Sequence, residues 1–255
     1  MRKLQSSKTK IKSRFLAMLL VVICILSAVY SPSMKEVDAA GKKVYVYVLQ
    51  SKTQGGYKTT YKYNKYGLLV KIGDLTTLKY DSKKRIKKYV NKAATGMIRH
   101  NTVTYTYDKK GRIKKMHSDG SHESNTYTYT YSYDKKNRVS KMSIVFDNYP
   151  NSLHEEKCVY NNKNQLIEHI SGSSTTSYSY DKYGNLARDG SKTYQNSYNK
   201  KKCLVKKGYV FNGQYYELTY KYKKIKVDKK YVKKIKKQQW ALLNDDVQFL
   251  FPQYG

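Results

Sequence analysis

The chain is 255 residues long and carries 51 Lys+Arg against 18 Asp+Glu, a formal net charge of +33. Its aromatic content is nearly all tyrosine, 29 Tyr beside five Phe and one Trp, and it has three cysteines. Cysteines this sparse exclude a disulfide framework, and the charge directs attention to polyanions as partners.

Residues 1–39 read as a signal peptide. Arg2, Lys3, Lys8, Lys10, Lys12 and Arg14 form a basic n-region, and Phe15 to Val29 is an uncharged apolar h-region. Val37-Asp38-Ala39 offers small residues for cleavage before Ala40. An uncleaved membrane anchor is the alternative; it is disfavoured because the apolar run falls short of the ~20 residues a span needs. The leader holds seven Lys+Arg and two Asp+Glu, so cleavage leaves 216 residues with 44 against 16 and a net of +28. That length suits one large β domain. Two cysteines remain, Cys158 and Cys203, and a disulfide between them is open.

From 40 to 232 the sequence is a string of related units, best preserved from Thr104 to Met116. Tyr105 and Tyr107 alternate with Thr104 and Thr106, the period of a half-buried strand. Asp108 can bond its own backbone and Gly111 tolerates positive φ, the chemistry of a type I turn closed by a bulge glycine. Pairing Asp108 with Arg112 sets Tyr107 opposite Ile113 on one face. Anchor tyrosines Tyr63, Tyr80, Tyr107, Tyr133, Tyr160, Tyr180 and Tyr198 each precede an Asp or Asn. Six places after each stands an aliphatic residue: Leu69, Ile86, Ile113, Val139, Leu166, Leu186 and Leu204. The first turn position includes Asp108, Asp134 and Asp181; the last is Gly or Asn in five copies, Gly111 and Gly184 among them. Lys84 and Lys202 break that rule and predict looser turns.

Anchor spacings of 17, 27, 26, 27, 20, 18 and 24 residues exclude a rigid-period solenoid, and a frayed last copy is expected over 222–232. Return loops are expected at Thr95-Gly96, Asp119 to Ser121, Tyr149 to Asn151, Ser171 to Ser174 and Asn212-Gly213, the last a strong two-residue hairpin signal. Residues 233–243 can form a short helix or a last strand. Phe249 to Phe251 should cover the open end, so 233–255 is read as a C-terminal cap. The expected fold class is all-β, an antiparallel meander of hairpins forming a large curled or spiral sheet.

The unit resembles the YD repeat of Rhs-type proteins, whose consensus runs Tyr-Asp-x-x-Gly-Arg-Leu/Ile. Tyr107, Asp108, Gly111, Arg112 and Ile113 match every specified position, and the resemblance covers about Val44 to Val232. It implies long β-sheets that spiral into a shell. The family's core segment and C-terminal toxin are not recognised in this sequence, so a short exported member is expected, and the resemblance bears on fold and surface location more than on toxin delivery.

Enzymatic readings fare badly. Five carboxylates serve turns or their remnant, and Glu155 and Glu156, being adjacent, face opposite ways on a strand. His154, Cys158 and His169 lie in one region without zinc-ligand spacing, and read as polar surface histidines and a buried cysteine. Asp189 to Thr193 lacks the helix a phosphate loop requires. No cofactor, metal or catalytic residue is expected.

Charge is the feature left to carry function. Lysine is a hydrated point charge suited to diffuse attraction rather than base readout, so nucleic acid is expected to bind only non-specifically, and a membrane only through an uncleaved leader. Lysines flank the turns and should gather along one rim; the bland account is that they keep strands soluble and unpaired. Anchor tyrosines are expected in the core. Candidate ligand-binding residues are Lys109, Lys110, Arg112, Lys114, Lys115, Lys135, Lys136 and the non-anchor tyrosines Tyr66, Tyr183 and Tyr194. The expected function is that of an exported, non-enzymatic repeat protein at the cell surface, binding an anionic cell-wall polymer or polysaccharide. The alternative is a scaffold or shell fragment that engages a secreted protein or toxin.

Overall fold

Tyr107 and Ile113 are register partners, and the turn between them is built as its residues dictate. The Asp108 amide donates to the Arg112 carbonyl, and the Gly111 amide donates to that of Asp108. The Asp108 carboxylate then accepts the Arg112 amide at 2.9 Å. All seven turns repeat this frame, from Asn64 to Asn199, with a left-handed residue at the fourth place. Lys84 (φ 61°) and Lys202 (φ 60°) adopt the same turn as glycine does. Their turns are not looser, because the Asp81 and Asn199 side chains and the two backbone bonds hold the frame against the cost of left-handed lysine.

The computed structural model describes residues 42–92, 101–120 and 126–244. The leader 1–39, the Thr95-Gly96 loop, Ser121 and the tail with Phe249 and Phe251 lie outside them. Sixteen strands follow in chain order: β1 (Lys43–Gln54), β2 (Tyr57–Tyr63), β3 (Leu69–Ile72), β4 (Thr76–Tyr80), β5 (Ile86–Asn91), β6 (Asn101–Tyr107), β7 (Ile113–Gly120) and β8 (Tyr127–Tyr133) form the first half. The second half is β9 (Val139–Phe146), β10 (Tyr149–Tyr160), β11 (Leu166–Ser171), β12 (Ser174–Tyr180), β13 (Leu186–Asp189), β14 (Lys192–Tyr198), β15 (Leu204–Phe211) and β16 (Gln214–Asp228). Each pairs antiparallel with its neighbour in sequence, and β16 pairs with β1 from Lys43↔Asp228 to Gln54↔Leu218.

The sheet is therefore a closed barrel, which corrects the expected curled or spiral sheet. The reason lies in the frayed copy. Tyr222 donates to the Leu204 carbonyl as an anchor does, but no Asp-x-x-Gly turn follows it. The strand runs straight on to Asp228 and presents a long edge to β1, so both open edges are satisfied at once. The return turns also sit slightly off expectation. Asp119 and Gly120 still pair in β7, and Asp147-Asn148 rather than Tyr149 to Asn151 makes the β9–β10 turn.

Alternation places tyrosine and aliphatic residues inside. On β12 Tyr178 is buried while Thr175, Ser177 and Ser179 are exposed, and on β2 Tyr61 is buried between Thr60 and Lys62. The outside is thus polar and the inside apolar, the reverse of a barrel whose outer face meets lipid. The interior is packed rather than hollow, with three groups of buried residues. Anchor tyrosines stitch successive units: the hydroxyls of Tyr63, Tyr80, Tyr107 and Tyr133 donate to the carbonyls of Leu49, Leu69, Ile86 and Ile113 at 2.5–2.7 Å.

After β16 and a single 3-10 turn, Val232–Leu243 forms helix α1, which settles the helix-or-strand alternative. Its inner side carries Ile235, Gln238, Gln239 and Leu242, and its outer side the exposed Lys233, Lys236 and Lys237. The helix reaches all three interior groups through Ile235, Trp240 and the Leu242-Leu243 pair. Its carboxamides meet strand amides left over where the register shifts. Gln238 Oε1 accepts from Leu69 N at 3.2 Å, Gln239 Oε1 from Leu49 N at 2.6 Å, and Asn244 Oδ1, just past the helix, from Leu186 N at 2.7 Å. These interior amides have no solvent to turn to, so the helix side chains answer a need that the bulges create.

Candidate functional site: a basic end face

An up-and-down meander sends every second turn to the same end, so the seven Asp/Asn turns form one rim. Helix α1 lies at that end, bonded to the Lys84 carbonyl through Lys234 Nζ and to the Gly184 carbonyl through Trp240 Nε1 (2.7 Å). Burial lowers the Lys234 ammonium pKa to about 8.

The acidic groups of this rim are already committed. Asp81, Asp108 and Asp134 are paired with Arg85, Arg112 and Arg138 at 2.6–2.7 Å, and Asp228 with Lys43 at 2.7 Å. Burial acts to raise the first three carboxyls, but the arginine amide and guanidinium outweigh it and hold them below the usual carboxylate range. Asp181 has Asn185 in place of an arginine, and accepts instead from the Tyr198 hydroxyl and from Asn196 Nδ2 (2.9 Å).

The arginines do double duty. Each guanidinium also stands over the anchor ring of the next unit, Arg85 over Tyr107 (4.1 Å), Arg112 over Tyr133 (4.3 Å) and Arg138 over Tyr160 (4.6 Å). Arg112 further donates to Asn137 Oδ1 at 2.9 Å. Arg112, counted from sequence among the ligand-binding cations, is thus spent on joining repeats.

The lysines remain. Lys109, Lys110, Lys114, Lys115, Lys135 and Lys136 are all exposed, and among the described residues none has an acidic partner. With Lys83, Lys163 and Lys182 at other turns and Lys233, Lys236 and Lys237 on the helix, they give this end an excess of positive charge among the described residues. The non-anchor tyrosines divide. Tyr66 is half-buried against Tyr231 (ring centroids 5.2 Å) with Lys84 over its ring (4.6 Å). Tyr183 is exposed at the rim beside Tyr198 (4.3 Å). Tyr194 is buried, with Tyr209 at 5.6 Å and Lys207 Nζ at 4.1 Å from its ring, and is no part of an exposed face. It lies four places before Tyr198, so strand alternation turns it inward with the anchor.

Sequence reasoning missed the seam where β1 meets β16. Tyr45 and Tyr47 are exposed there, with Lys224 and Lys201 over their rings at 4.2 and 4.4 Å. Beside them a groove of about 500 Å³ is lined by Tyr47, Gln50, Asn199, Lys200, Lys201, Val205, Tyr220, Lys221 and Tyr222, with no carboxylate. The lysine run at 200–202 was the only local hint, because the seam exists only after closure.

Elsewhere the structure gathers residues the sequence left apart. His169 Nε2 is 3.0 Å from Glu156 Oε2, and His154 Nε2 lies 2.8 Å from Ser171 Oγ and 3.9 Å from Glu156 Oε1. His169 and Glu156 are largely buried, so His169 is not the surface residue expected. Cys158 is in register with His169, and burial pushes its thiol up to about 12. Both Cys158 and Cys203 are free thiols. Among the described residues no group of three His, Cys, Asp or Glu could hold a metal ion.

No family model matches the chain, and no curated protein matches it. Solved structures do. A porin-like protein from Bacteroides uniformis aligns over 72% of this chain and 98% of its own, at 14% identity and a TM-score of 0.44. One from Bacteroides vulgatus aligns over 69% and 99%, at 13% identity and a TM-score of 0.40. The Photorhabdus luminescens Tc holotoxin pore aligns over 65% of this chain and 9% of its own, at 14% identity and a TM-score of 0.32. With TM-scores under 0.5, these likenesses lend the chain no activity, partner or location.

Proposed function

We propose that the protein is an exported, non-enzymatic repeat protein of YD type that attaches at the cell surface to an anionic polymer, a wall polymer or acidic polysaccharide, through the lysines of the turn rim and helix α1. One observation carries this reading: the rim's Asp81, Asp108 and Asp134 are neutralised by the arginines of their own turns, so among the described residues its exposed lysines have no acidic partner. Diffuse charge of this kind attracts a flexible polyanion without demanding a register. The leader supplies the export route, and the shared seven-turn frame supports the YD assignment.

Retention on a glycerol-phosphate polymer tests it. Binding should weaken steeply as salt rises, because exposed charges are screened beyond about 8–10 Å. The variant Lys109→Glu, Lys110→Glu, Lys135→Glu, Lys136→Glu should bind about tenfold more weakly or worse. Retention that ignores both salt and these substitutions sinks the proposal.

A further inference from the structure

The opposite mouth of the barrel has different chemistry. There the β1–β2 and β15–β16 hairpin ends frame an open cavity of about 560 Å³ lined by Lys52, Gln54, Tyr57, Thr59, Gln214, Tyr216 and Glu217, among others, with the Glu217 carboxylate paired to Lys206 at 2.9 Å. Tyr57 is 85% exposed, more than any other large hydrophobic residue of the described chain. It is set at this edge by the Gly55-Gly56 turn, whose two positive φ values (53° and 81°) suit glycine, and a Cβ at either position would meet nothing within 4 Å.

The facing wall is fixed. The Tyr216 ring stacks on Tyr209 at 5.3 Å with 15° between planes, and Tyr209 packs edge-on against the buried Tyr194. The Tyr216 hydroxyl donates to Gln214 Oε1 at 2.9 Å, which orients that carboxamide and leaves its N–H groups to donate elsewhere. Gln54 supplies a second carboxamide.

We infer that this mouth is a binding site for an uncharged oligosaccharide carrying acetamido groups, separate from the basic face and independent of the polyanion reading. An exposed tyrosine offers an apolar face to a sugar ring while its edge stays wet. Two carboxamides match the donor and acceptor of an acetamido group, which a plain hexose lacks. The volume falls within the range of small-ligand pockets, roughly 300–1,000 Å³.

Titration of the full chain with N,N′-diacetylchitobiose, followed by calorimetry, tests the assignment, with cellobiose as the arm that lacks acetamido groups. Chitobiose should bind, cellobiose should bind about tenfold more weakly or worse, and Tyr57→Ala should cost about the same factor. Tyr57 is exposed enough that its loss leaves the fold intact, which far-ultraviolet circular dichroism verifies. Binding should be indifferent to salt and to the four rim Lys→Glu changes, so failure here is distinguishable from failure of polyanion attachment. No heat with chitobiose at millimolar concentration, equal binding of cellobiose, or an unaffected Tyr57→Ala variant would overturn it.

Discussion

The guanidinium of Arg112 stands 4.3 Å from the ring centroid of Tyr133 while its Nε donates to Asp108 at 2.7 Å, so one side chain holds its own turn and the next repeat's anchor together. Arg112→Ala should cost about 2 kcal/mol, from charge-assisted bonds and the cation–ring contact in a partly exposed setting. Arg112→Lys should recover little, since lysine lacks the planar fork. Urea unfolding measures both. A double-mutant cycle with Tyr133→Leu should show coupling between the repeats.

Removing the helix carboxamides should be more damaging than their polarity suggests. Gln238→Leu strands the Leu69 amide, and Gln239→Leu the Leu49 amide, inside the barrel. Each should cost about 1–3 kcal/mol and loosen the helix from the rim. The fluorescence of Trp240, the sole tryptophan, reports that release directly.

Glycine at the fourth turn position is not equally demanding everywhere. A Cβ at Gly67 would meet Ile235 Cδ1 and Val227 Cγ1 at 2.7 Å as well as requiring φ +77°. At Gly184 it would meet nothing within 4 Å. Gly184→Ala should therefore cost about 1–2 kcal/mol for backbone alone, and Gly67→Ala clearly more. Thermal midpoints that coincide would contradict this.

Stability should depend on pH at both ends of the scale. Lys234 titrates at about 8 in the fold and at about 10.5 unfolded. Between those values the unfolded chain binds the extra proton, so stability rises with pH across that window. Lys234→Met should flatten the rise. The Asp81, Asp108 and Asp134 carboxyls are held low, so their stabilisation is full above their ordinary pKa of roughly 3.9 and is lost as pH falls below it. Chemical denaturation across pH checks both limbs.

Much of the local fold was legible because each hairpin is decided by residues within six places of its anchor. Tyr107 opposite Ile113 and the Asp108 turn needed no distant information. The type of the last element did not yield to sequence, since Lys233 to Leu243 suits either period until its partners are known. The β1–β16 seam and the partners of Gln238, Gln239 and Asn244 were illegible for a related reason. A bulge announces a spare amide locally, but what answers it comes from as far as 190 residues away. Tyr194 shows the opposite failure, in which alternation from Tyr198 would have placed it inside.

Closure of β1 on β16 also constrains how this chain can change in length. An antiparallel ring closes without a mismatch only if its strand number is even. Each repeat is a hairpin and brings two strands, so duplication or loss of a repeat preserves parity. The number of copies thereby sets the girth of the barrel, while the long first and last strands supply the closing pair.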